Sequence, residues 1–511
     1  MNDKKRIALN TLVLYAKLII SIVISFMASR YVLKALGASD YGLYNVVGGV
    51  VAMMNLLATS MIATSYRYVA VEMGKGENGN VNKVYNTIFI IHVALALLLI
   101  LIGETVGIYY VNNYLNVAVD KIPDAKFVLH LSLATTAFTV ISIPADGLIV
   151  AREKFIYTSI LKIVTSLLTL AICVYLCSYG ENRLRLYAIV LAIIHLITPL
   201  GYQAYCWITC KDFVRFNLNK NIHDYLGVLS FTFWMFIGAI AHVGRIQGAS
   251  IIMNLFFGTV INAAFGFASQ VSQATGMFTS TLRQAAIPQI MKNQGGGNEE
   301  KSLQLVYVVS RFSFLLMLLP AVPLLFTVDY VLKLWLKNPP EFTGIFIVYL
   351  LINGLISNFG AGFDASIQAT GKVRKNQIGY SLINLALLPA MYIAYKLFGA
   401  PVYANMIIMI VCTIITLLFQ IYIMRQLTSF DLKIYLGQTV VPCLASIALA
   451  IVPLYYIRDW FGDSISSFVA FCTISEVYIG SVIFLVGLKK NERHMLWNYF
   501  DKKVLKRFKR V

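Results

Sequence analysis

The sequence predicts an all-α polytopic membrane protein with fourteen transmembrane helices. Of its 511 residues 59% are hydrophobic and 13% are charged, and this share of charge is too small for the water-facing surface of soluble domains. The apolar residues fall into stretches close to the roughly 20 residues that a helix needs to cross the hydrocarbon core. A nine-residue pattern at Asp146–Lys154 also recurs 218 residues later at Asp364–Lys372. This repetition predicts two pseudo-symmetric six-helix lobes plus two extra helices.

Short loops join the predicted spans and leave no room for an independent soluble domain. The first apolar run, from Ile7 to about Leu33, follows a basic opening as in a signal peptide. It is too long for one and lacks a convincing cleavage site, so we interpret it as an uncleaved span. The fourteen spans begin near residues 7, 43, 84, 124, 155, 185, 225, 259, 304, 343, 377, 402, 435 and 465.

The basic residues predict the orientation in the membrane. Most of the 42 Lys and Arg residues lie in the even-numbered loops and at both ends of the chain, and cytoplasmic flanks carry such an excess. Both termini are therefore predicted to be cytoplasmic, which agrees with an even number of spans. The net charge of +19 is then a feature of topology and does not indicate nucleic-acid binding.

The tail 489–511 is rich in Lys and Arg, and its apolar residues Trp497, Phe500, Val504 and Phe508 recur at three- and four-residue spacing. This pattern predicts a basic amphipathic helix that lies on anionic lipid headgroups. A frayed, solvated tail is the alternative.

Three landmarks occur in the same order in both halves of the chain. They are Asp146–Lys154 with Asp364–Lys372, Arg67 with Arg283, and the turn at Leu36-Gly37 with that at Phe257-Gly258. Because each lobe would hold an even number of helices, the repeats run in the same direction through the membrane. The predicted divisions are an N-terminal lobe at 1–222, a C-terminal lobe at 223–430, helices 13 and 14 at 431–488 and the tail at 489–511.

The seven cysteines lie within or beside apolar segments, with two pairs at i,i+4 spacing. No companion His or Cys completes a tetrahedral metal site near either pair. We therefore expect small buried side chains and neither a metal nor another cofactor.

Several motifs together are similar to those of one transporter superfamily. They are the turn with Arg30, Leu36-Gly37, Tyr41-Gly42 and Tyr44, its counterpart Phe257-Gly258 with Asn262-Ala263, and the Ala-x-x-Lys endings of the two nonapeptides. Their order and spacing resemble the multidrug/oligosaccharidyl-lipid/polysaccharide exporter superfamily, and its polysaccharide (O-antigen type) flippase branch is the most similar. The resemblance covers nearly the whole chain.

This resemblance implies a transporter and not an enzyme. A member of this branch would flip undecaprenyl-diphosphate-linked oligosaccharide from the cytoplasmic to the outer leaflet of a bacterial inner membrane, for surface polysaccharide synthesis. It would be V-shaped, with a cavity between the lobes and alternating access. The implied partners are the lipid-linked glycan, the bilayer with its anionic lipids, and the polysaccharide polymerase machinery.

Ionised side chains inside the spans are the candidate substrate-binding residues, because each costs at least ~2.5–3.5 kcal/mol at mid-membrane. Arg245 and His242 lie one helical turn apart in span 7, and Lys17 lies in span 1, the equivalent helix of the other lobe. With Arg30 they would make a cationic cavity that holds a diphosphate by charge-assisted hydrogen bonds. Alternatively, Lys17 and Arg30 extend toward the headgroups and His242 is an interior residue.

Four charged residues at predicted cytoplasmic helix ends are candidates for a gate: Arg67, Asp146, Arg283 and Asp364. We predict ion pairs among them that close this side in the outward-facing state. Static pairing with adjacent loop lysines is the alternative.

The driving force is less visible in the sequence. Coupling to H⁺ or Na⁺ would need a carboxylate with alternating exposure, and Asp146, Asp364 and Glu476 are the candidates. The membrane potential acting on the charge of the substrate is an equal alternative.

Three rival functions stay open. A polytopic glycan ligase or polymerase would usually carry catalytic residues on a large outer loop, whereas the longest one here offers only Asp120 and Asp124. A multidrug/cation antiporter of the same superfamily should have a carboxylate-rich cavity. A peptidoglycan lipid-precursor flippase would share the cationic cavity.

Overall fold

The computed structural model describes residues 3–113, 119–180, 182–336, 339–462 and 464–494. Within these ranges the chain forms helices joined by short turns, and no strand occurs among them. The helices are α1 (Asp3–Gly74), α2 (Val81–Ile102), α3 (Ile108–Asn113), α4 (Ile122–Ala151), α5 (Phe155–Leu176), α6 (Arg183–Thr209), α7 (Lys211–Val214), α8 (Ile222–Gly295), α9 (Glu299–Leu336), α10 (Thr343–Asn358), α11 (Phe363–Thr370), α12 (Arg374–Phe398), α13 (Ala404–Leu427), α14 (Leu432–Tyr435), α15 (Val441–Arg458) and α16 (Ile465–Val482).

The predicted all-helical, multi-span fold is confirmed. Ten segments of the described residues are long and apolar enough to cross a membrane, or eleven if α10 and α11, which meet at a 43° bend, form one span. Helix α1 has 72 residues and is long enough for two crossings. Helix α8 has 74 residues, and its second half is long enough for one more crossing. Fourteen spans are therefore compatible with the structure.

The break in α8 lies where the sequence predicts the turn between spans 7 and 8. Gly258 has φ 78° and ψ −174°, a conformation that only glycine adopts without strain. The counterpart turn at Leu36-Gly37 lies in α1, where the side chains of residues 37–59 fall outside the described part of the chain.

Both copies of the nonapeptide end in a tight turn between two helices. Glu153, in the turn from α4 to α5, has φ 59°, and Gly371, in the turn from α11 to α12, has φ 79°. These two residues occupy the same position in the two copies. The repeated spacing of Asp146–Lys154 and Asp364–Lys372 therefore reflects a repeated helix–turn–helix junction with one left-handed residue.

Contacts divide the chain into two compact units. Unit 1 comprises Met1–Ile240, Gln284–Ser302 and Gln368–Ile378, and unit 2 comprises Ala241–Arg283, Leu303–Ile367 and Gly379–Val511. These units do not follow the predicted division into an N-terminal and a C-terminal lobe. Parts of α8, α9, α11 and α12 pack within unit 1, although these helices belong to the predicted C-terminal lobe.

Each unit has its own apolar core. In unit 1 the core surrounds α4, whose Leu129 and Leu133 are buried, and in unit 2 Leu318 of α9 and Phe346 of α10 are buried. Lipid tails are as apolar as these side chains, so close packing holds such helices together. In unit 1 a Cβ on Gly147 would overlap the Ser65 hydroxyl, which shows how closely α4 approaches α1.

Hydrogen bonds place four even-numbered loops on one side of unit 1. Asn82 Nδ2 donates to the carbonyl oxygen of Arg215 at 2.8 Å, which joins loops 2 and 6. Glu153 Oε1 accepts from Lys292 Nζ at 3.2 Å, which joins loops 4 and 8. We call the side of unit 1 on which these four loops lie the basic side. Its cytoplasmic location stays a prediction.

The chain after α16 is anchored by a buried ion pair in unit 2. Arg311 Nη2 donates to Glu492 Oε1, and the two side chains are only 1% and 9% exposed. Arg311 Nη1 also donates to the carbonyl oxygen of Gln438 at 2.9 Å. Residues 495–511, most of the predicted amphipathic tail, lie outside the described residues.

We expect Glu492→Gln to lower the melting temperature of the detergent-purified protein. The substitution leaves the Arg311 guanidinium buried without its counter-charge, which costs about 3 kcal/mol or more. Lys490→Gln is the matched control, because Lys490 is an exposed neighbour. Equal melting temperatures for the two variants would contradict a structural role for the buried pair.

Candidate functional site

The first candidate site is a cluster of polar side chains in unit 1, centred on Asp146 of α4. Its carboxylate accepts a hydrogen bond from the Tyr66 hydroxyl of α1 at 2.9 Å. Lys17 of α1 and Lys162 of α5 are its charged neighbours and interact with it electrostatically. Asp146 and Lys17 are half-buried, and Lys162 is exposed.

Two residues of α6 complete this cluster. Tyr202 is buried and lies within electrostatic range of Asp146, and His195 is exposed and lies within range of Lys162. Among the described residues neither the Lys17 nor the Lys162 ammonium group has a hydrogen-bonded or ion-paired partner. The cluster thus combines one carboxylate with two available cations on helices that are otherwise apolar. Such charges are stable only where water or an ionic ligand reaches them.

The second candidate site is the corresponding cluster in unit 2, centred on Asp364 of α11. Its carboxylate accepts a hydrogen bond from Gln420 Nε2 of α13 at 2.9 Å. Arg283 of α8 lies within electrostatic range of this carboxylate. Asp364 itself is exposed.

His242 and Arg245 of α8 belong to the same cluster. The Tyr380 hydroxyl of α12 and His242 Nδ1 are 3.3 Å apart, and Arg245 lies within electrostatic range of both groups. Arg245 Nε is buried and has no hydrogen-bond partner among the described residues. A buried guanidinium N–H without an acceptor is a position where an anionic ligand could bind.

The two clusters are built from equivalent positions of the repeat. Three pairs of residues share the offset of 218: Asp146 with Asp364, Lys162 with Tyr380, and Tyr202 with Gln420. In both units the aspartate therefore has neighbours on the next two long helices at the same sequence separations. This agreement supports the internal duplication independently of the motifs from which it was inferred.

The structure brings together three of the four predicted substrate residues with other charged groups of their own unit. Lys17 lies in the Asp146 cluster, and His242 and Arg245 lie in the Asp364 cluster. Arg30 lies in α1, but its side chain is outside the described part of the chain. Glu476, a candidate for ion coupling, is exposed on α16 and belongs to neither cluster.

Two of the predicted gate residues have partners other than each other. Arg67 Nε donates to the carbonyl oxygen of Gln368 at 2.9 Å, and its guanidinium stacks on Tyr68 and Phe231. Asp146 is bonded to Tyr66 instead of Arg67, because successive residues of a helix point in different directions. In this structure Arg67 and Asp146 thus contact Gln368 and Tyr66, and the predicted ion pairs of the gate stay a prediction.

Sequence reasoning left out several residues of these clusters. Tyr66, Tyr202 and Tyr380 are uncharged, so they are not embedded charges. Lys162 is an embedded charge of span 5, but its position alone does not assign it to a site. The signal that would have found Lys162, Tyr202 and Tyr380 is the constant offset of 218, applied to every polar residue instead of to motifs alone.

Comparison with known proteins identifies the fold. No known protein family matches the sequence, and no curated protein matches it. The solved structures that are similar include a multidrug resistance MATE family transporter of the MOP superfamily in an outward-facing conformation, with a TM-score of 0.71 and 13% identity over 83% of this chain and 96% of that one. A MATE protein in a bent conformation has a TM-score of 0.69 and 14% identity, over 84% and 96%.

A third similar structure is a MOP superfamily transporter from Pyrococcus furiosus, described as having a binding pocket of reverse polarity that suggests a different function. Its TM-score is 0.66 and its identity 15%, over 84% of this chain and 97% of that one. Because all these identities are low, the comparisons establish the fold alone, and this fold is of the MATE type.

We expect Lys162→Cys, in a variant without the seven native cysteines, to react with a charged, membrane-impermeant thiol reagent. The side chain is exposed within an ionic cluster, so water should reach it. Ile160→Cys is the control, because Ile160 is 55% exposed on an apolar face of the same helix that lipid should cover. Equal reaction rates at the two positions, measured in proteoliposomes, would contradict a hydrated cluster.

Proposed function

We propose that this protein is a flippase that moves an undecaprenyl-diphosphate-linked oligosaccharide from the cytoplasmic to the outer leaflet of a bacterial inner membrane, for surface polysaccharide synthesis. The observation that carries the proposal is the excess of cations in both clusters. The cationic groups are Lys17 and Lys162 beside Asp146, Arg283 beside Asp364, and Arg245 beside Tyr380.

A diphosphate is the kind of ligand that such clusters would bind. It carries negative charge on oxygens that accept hydrogen bonds from ammonium and guanidinium groups, and charge-assisted bonds of this type are the strong ones. Arg245 Nε has no hydrogen-bond partner among the described residues, so its N–H is available to a diphosphate oxygen. The Lys17 and Lys162 ammonium groups would add further donors. Tyr66, Tyr202 and Tyr380 would add hydroxyl groups suited to the sugars.

Alternating access is the mechanism that the duplicated architecture supports. Parallel repeats related by an axis along the membrane normal are one of the recurrent designs of secondary transporters, and their sites lie on helices that correspond in the two repeats. The paired clusters follow this rule. Transport would exchange conformations in which the diphosphate is reached from one side or from the other.

Coupling to H⁺ or Na⁺ would involve Asp146 and Asp364. Each carboxylate has neutral hydrogen-bond donors, Tyr66 and Gln420 respectively, and cations nearby. Arrival of an anionic ligand would change the charge around each carboxylate and hence its affinity for a cation. The membrane potential acting on the substrate is the alternative driving force.

Multidrug or cation antiport is the second candidate function. It is favoured by the fold comparisons, because one similar structure is a multidrug resistance transporter. Under this alternative Asp146 and Asp364 would bind the cation and the neighbouring lysines would be secondary. The Pyrococcus furiosus protein, with its pocket of reverse polarity, supports the view that this fold accommodates sites of either sign. A peptidoglycan lipid-precursor flippase would use the same cationic site.

Binding measurements distinguish the two candidates. We expect the purified protein in nanodiscs to bind undecaprenyl diphosphate, and the double variant Lys17→Gln/Lys162→Gln to bind it at least about tenfold more weakly, since each charge-assisted bond contributes about 1.5–3 kcal/mol. Lys396→Gln is the control, because Lys396 lies outside both clusters. Binding of the cationic dye ethidium that is lost in Asp146→Asn, without binding of the diphosphate, would favour the antiporter.

Deletion of the gene tests the proposal in cells. We expect a lipid-linked glycan to accumulate on the cytoplasmic leaflet, because its synthesis continues while its translocation stops. Extraction and chromatography of lipid-linked glycans, combined with accessibility to external glycosidases, would measure this. Unchanged glycans together with altered tolerance to cationic drugs would contradict the flippase.

A further inference from the structure

We propose that Glu153 is a latch that holds the basic side of the protein closed, by tying the turn between α4 and α5 to the end of α8. This inference rests on the proposed transport function, because only an alternating-access protein needs a contact that breaks and re-forms. Glu153 is not among the predicted gate residues, and two of its partners, Gln289 and Lys292, belong to the other copy of the repeat.

Side chains of α1 and α8 converge on the Glu153 carboxylate. Oε1 accepts from Gln289 Nε2 at 2.6 Å and from Lys292 Nζ at 3.2 Å, and Oε2 accepts from Asn10 Nδ2 at 3.4 Å. The Glu153 side chain is 0% exposed and that of Lys292 is 20% exposed. All of these residues lie in unit 1.

A buried carboxylate is stable only while its partners stay in place. Breaking such a pair without hydrating it leaves an uncompensated charge, whereas opening this side to water would solvate both ions. The network is thus stable in two conditions, closed with partners or open with water, and unstable between them. This bistability is what distinguishes a latch from a permanent structural bridge.

The backbone at Glu153 supports a functional role. Its φ of 59° is uncommon for a residue other than Gly, Asn or Asp, and the equivalent residue in the second repeat is Gly371, at φ 79°. This chain therefore has a glutamate at a position where glycine would be less strained. Observed strain of this kind concentrates at functional positions.

The second repeat uses the equivalent turn in a complementary way. Arg67, near the end of α1, donates to the carbonyl oxygen of Gln368. A Cβ on Gly371 would overlap the Arg67 guanidinium. The turn from α4 to α5 thus receives the end of α8, and the turn from α11 to α12 receives the end of α1. The exchange is reciprocal between the two repeats, although the side chains differ.

Between these two contacts the ends of α1 and α8 touch at the backbone. A Cβ on Gly74 would overlap the Lys292 carbonyl oxygen, and a Cβ on Gly295 would overlap that of Val71. Such close packing needs glycine and supplies little ionic attraction of its own. The Glu153 network supplies the charged contact that can be switched.

Electron–electron distance measurements test the latch without a substrate. In the cysteine-free full-length protein, spin labels at Lys154→Cys and Asn298→Cys report across the latch, and labels at Lys154→Cys and Asn78→Cys report within the first repeat. All three positions are exposed. We expect Glu153→Gln to raise the ratio of long to short distances for the first pair about tenfold, the effect of losing one hydrogen bond to a charged group.

The control pair should keep its distance in every variant, because its labels lie on one side of the latch. We expect the charge exchange Glu153→Lys/Lys292→Glu to restore the short distance of the first pair. If Glu153→Gln does not fold, Lys292→Met removes the same ion pair from the other side. An unchanged distribution for the first pair, or equal broadening in both pairs, would overturn the latch.

The spin-label distances test the latch without reference to the substrate. Glu153 lies outside both cationic clusters, so Glu153→Gln should bind undecaprenyl diphosphate as the parent protein does. Normal distances with normal diphosphate binding would sink the latch alone. A widened first pair in a protein that binds no diphosphate would support the latch and reject the proposed substrate.

Discussion

The cost of placing a charge in hydrocarbon governs this structure. Only 13% of the residues are charged, and an ionised side chain at mid-membrane costs at least ~2.5–3.5 kcal/mol, so each embedded charge needs water, a partner or a ligand. Arg311 of α9 meets this requirement with a buried carboxylate partner, Glu492. Lys17 and Lys162 do not have such partners in the described structure, and this difference separates the structural charges from the candidate site.

The duplication explains why the site occurs twice. Asp146 and Asp364 occupy the same position of the repeat, and the residues that surround them come from the same helices in each copy. The neighbours have diverged, from Lys162 to Tyr380 and from Tyr202 to Gln420. The two clusters therefore share their positions in the repeat but differ in the chemistry of their side chains.

The sequence predicted the helical membrane fold, the turn at Gly258 and the nonapeptide junctions, because hydrophobic length and glycine position depend on local chemistry. It could not predict which way each side chain points. Tyr66 and Arg67 are adjacent, yet the first contacts Asp146 and the second contacts Gln368. The partners of Glu153 lie about 140 residues away in the chain, and no local pattern indicates them.

The solved structures with a similar fold and the charges of this chain suggest different ligands. One of those structures is a multidrug resistance transporter, whereas the two clusters of this chain contain more cations than carboxylates. The most direct test is translocation itself: proteoliposomes that contain the protein and an undecaprenyl-diphosphate-linked oligosaccharide, with external lectin reporting the glycan that crosses. We expect faster crossing than in protein-free vesicles, and slower crossing in Lys17→Gln/Lys162→Gln. Extrusion of ethidium by vesicles in which the glycan does not cross would contradict it.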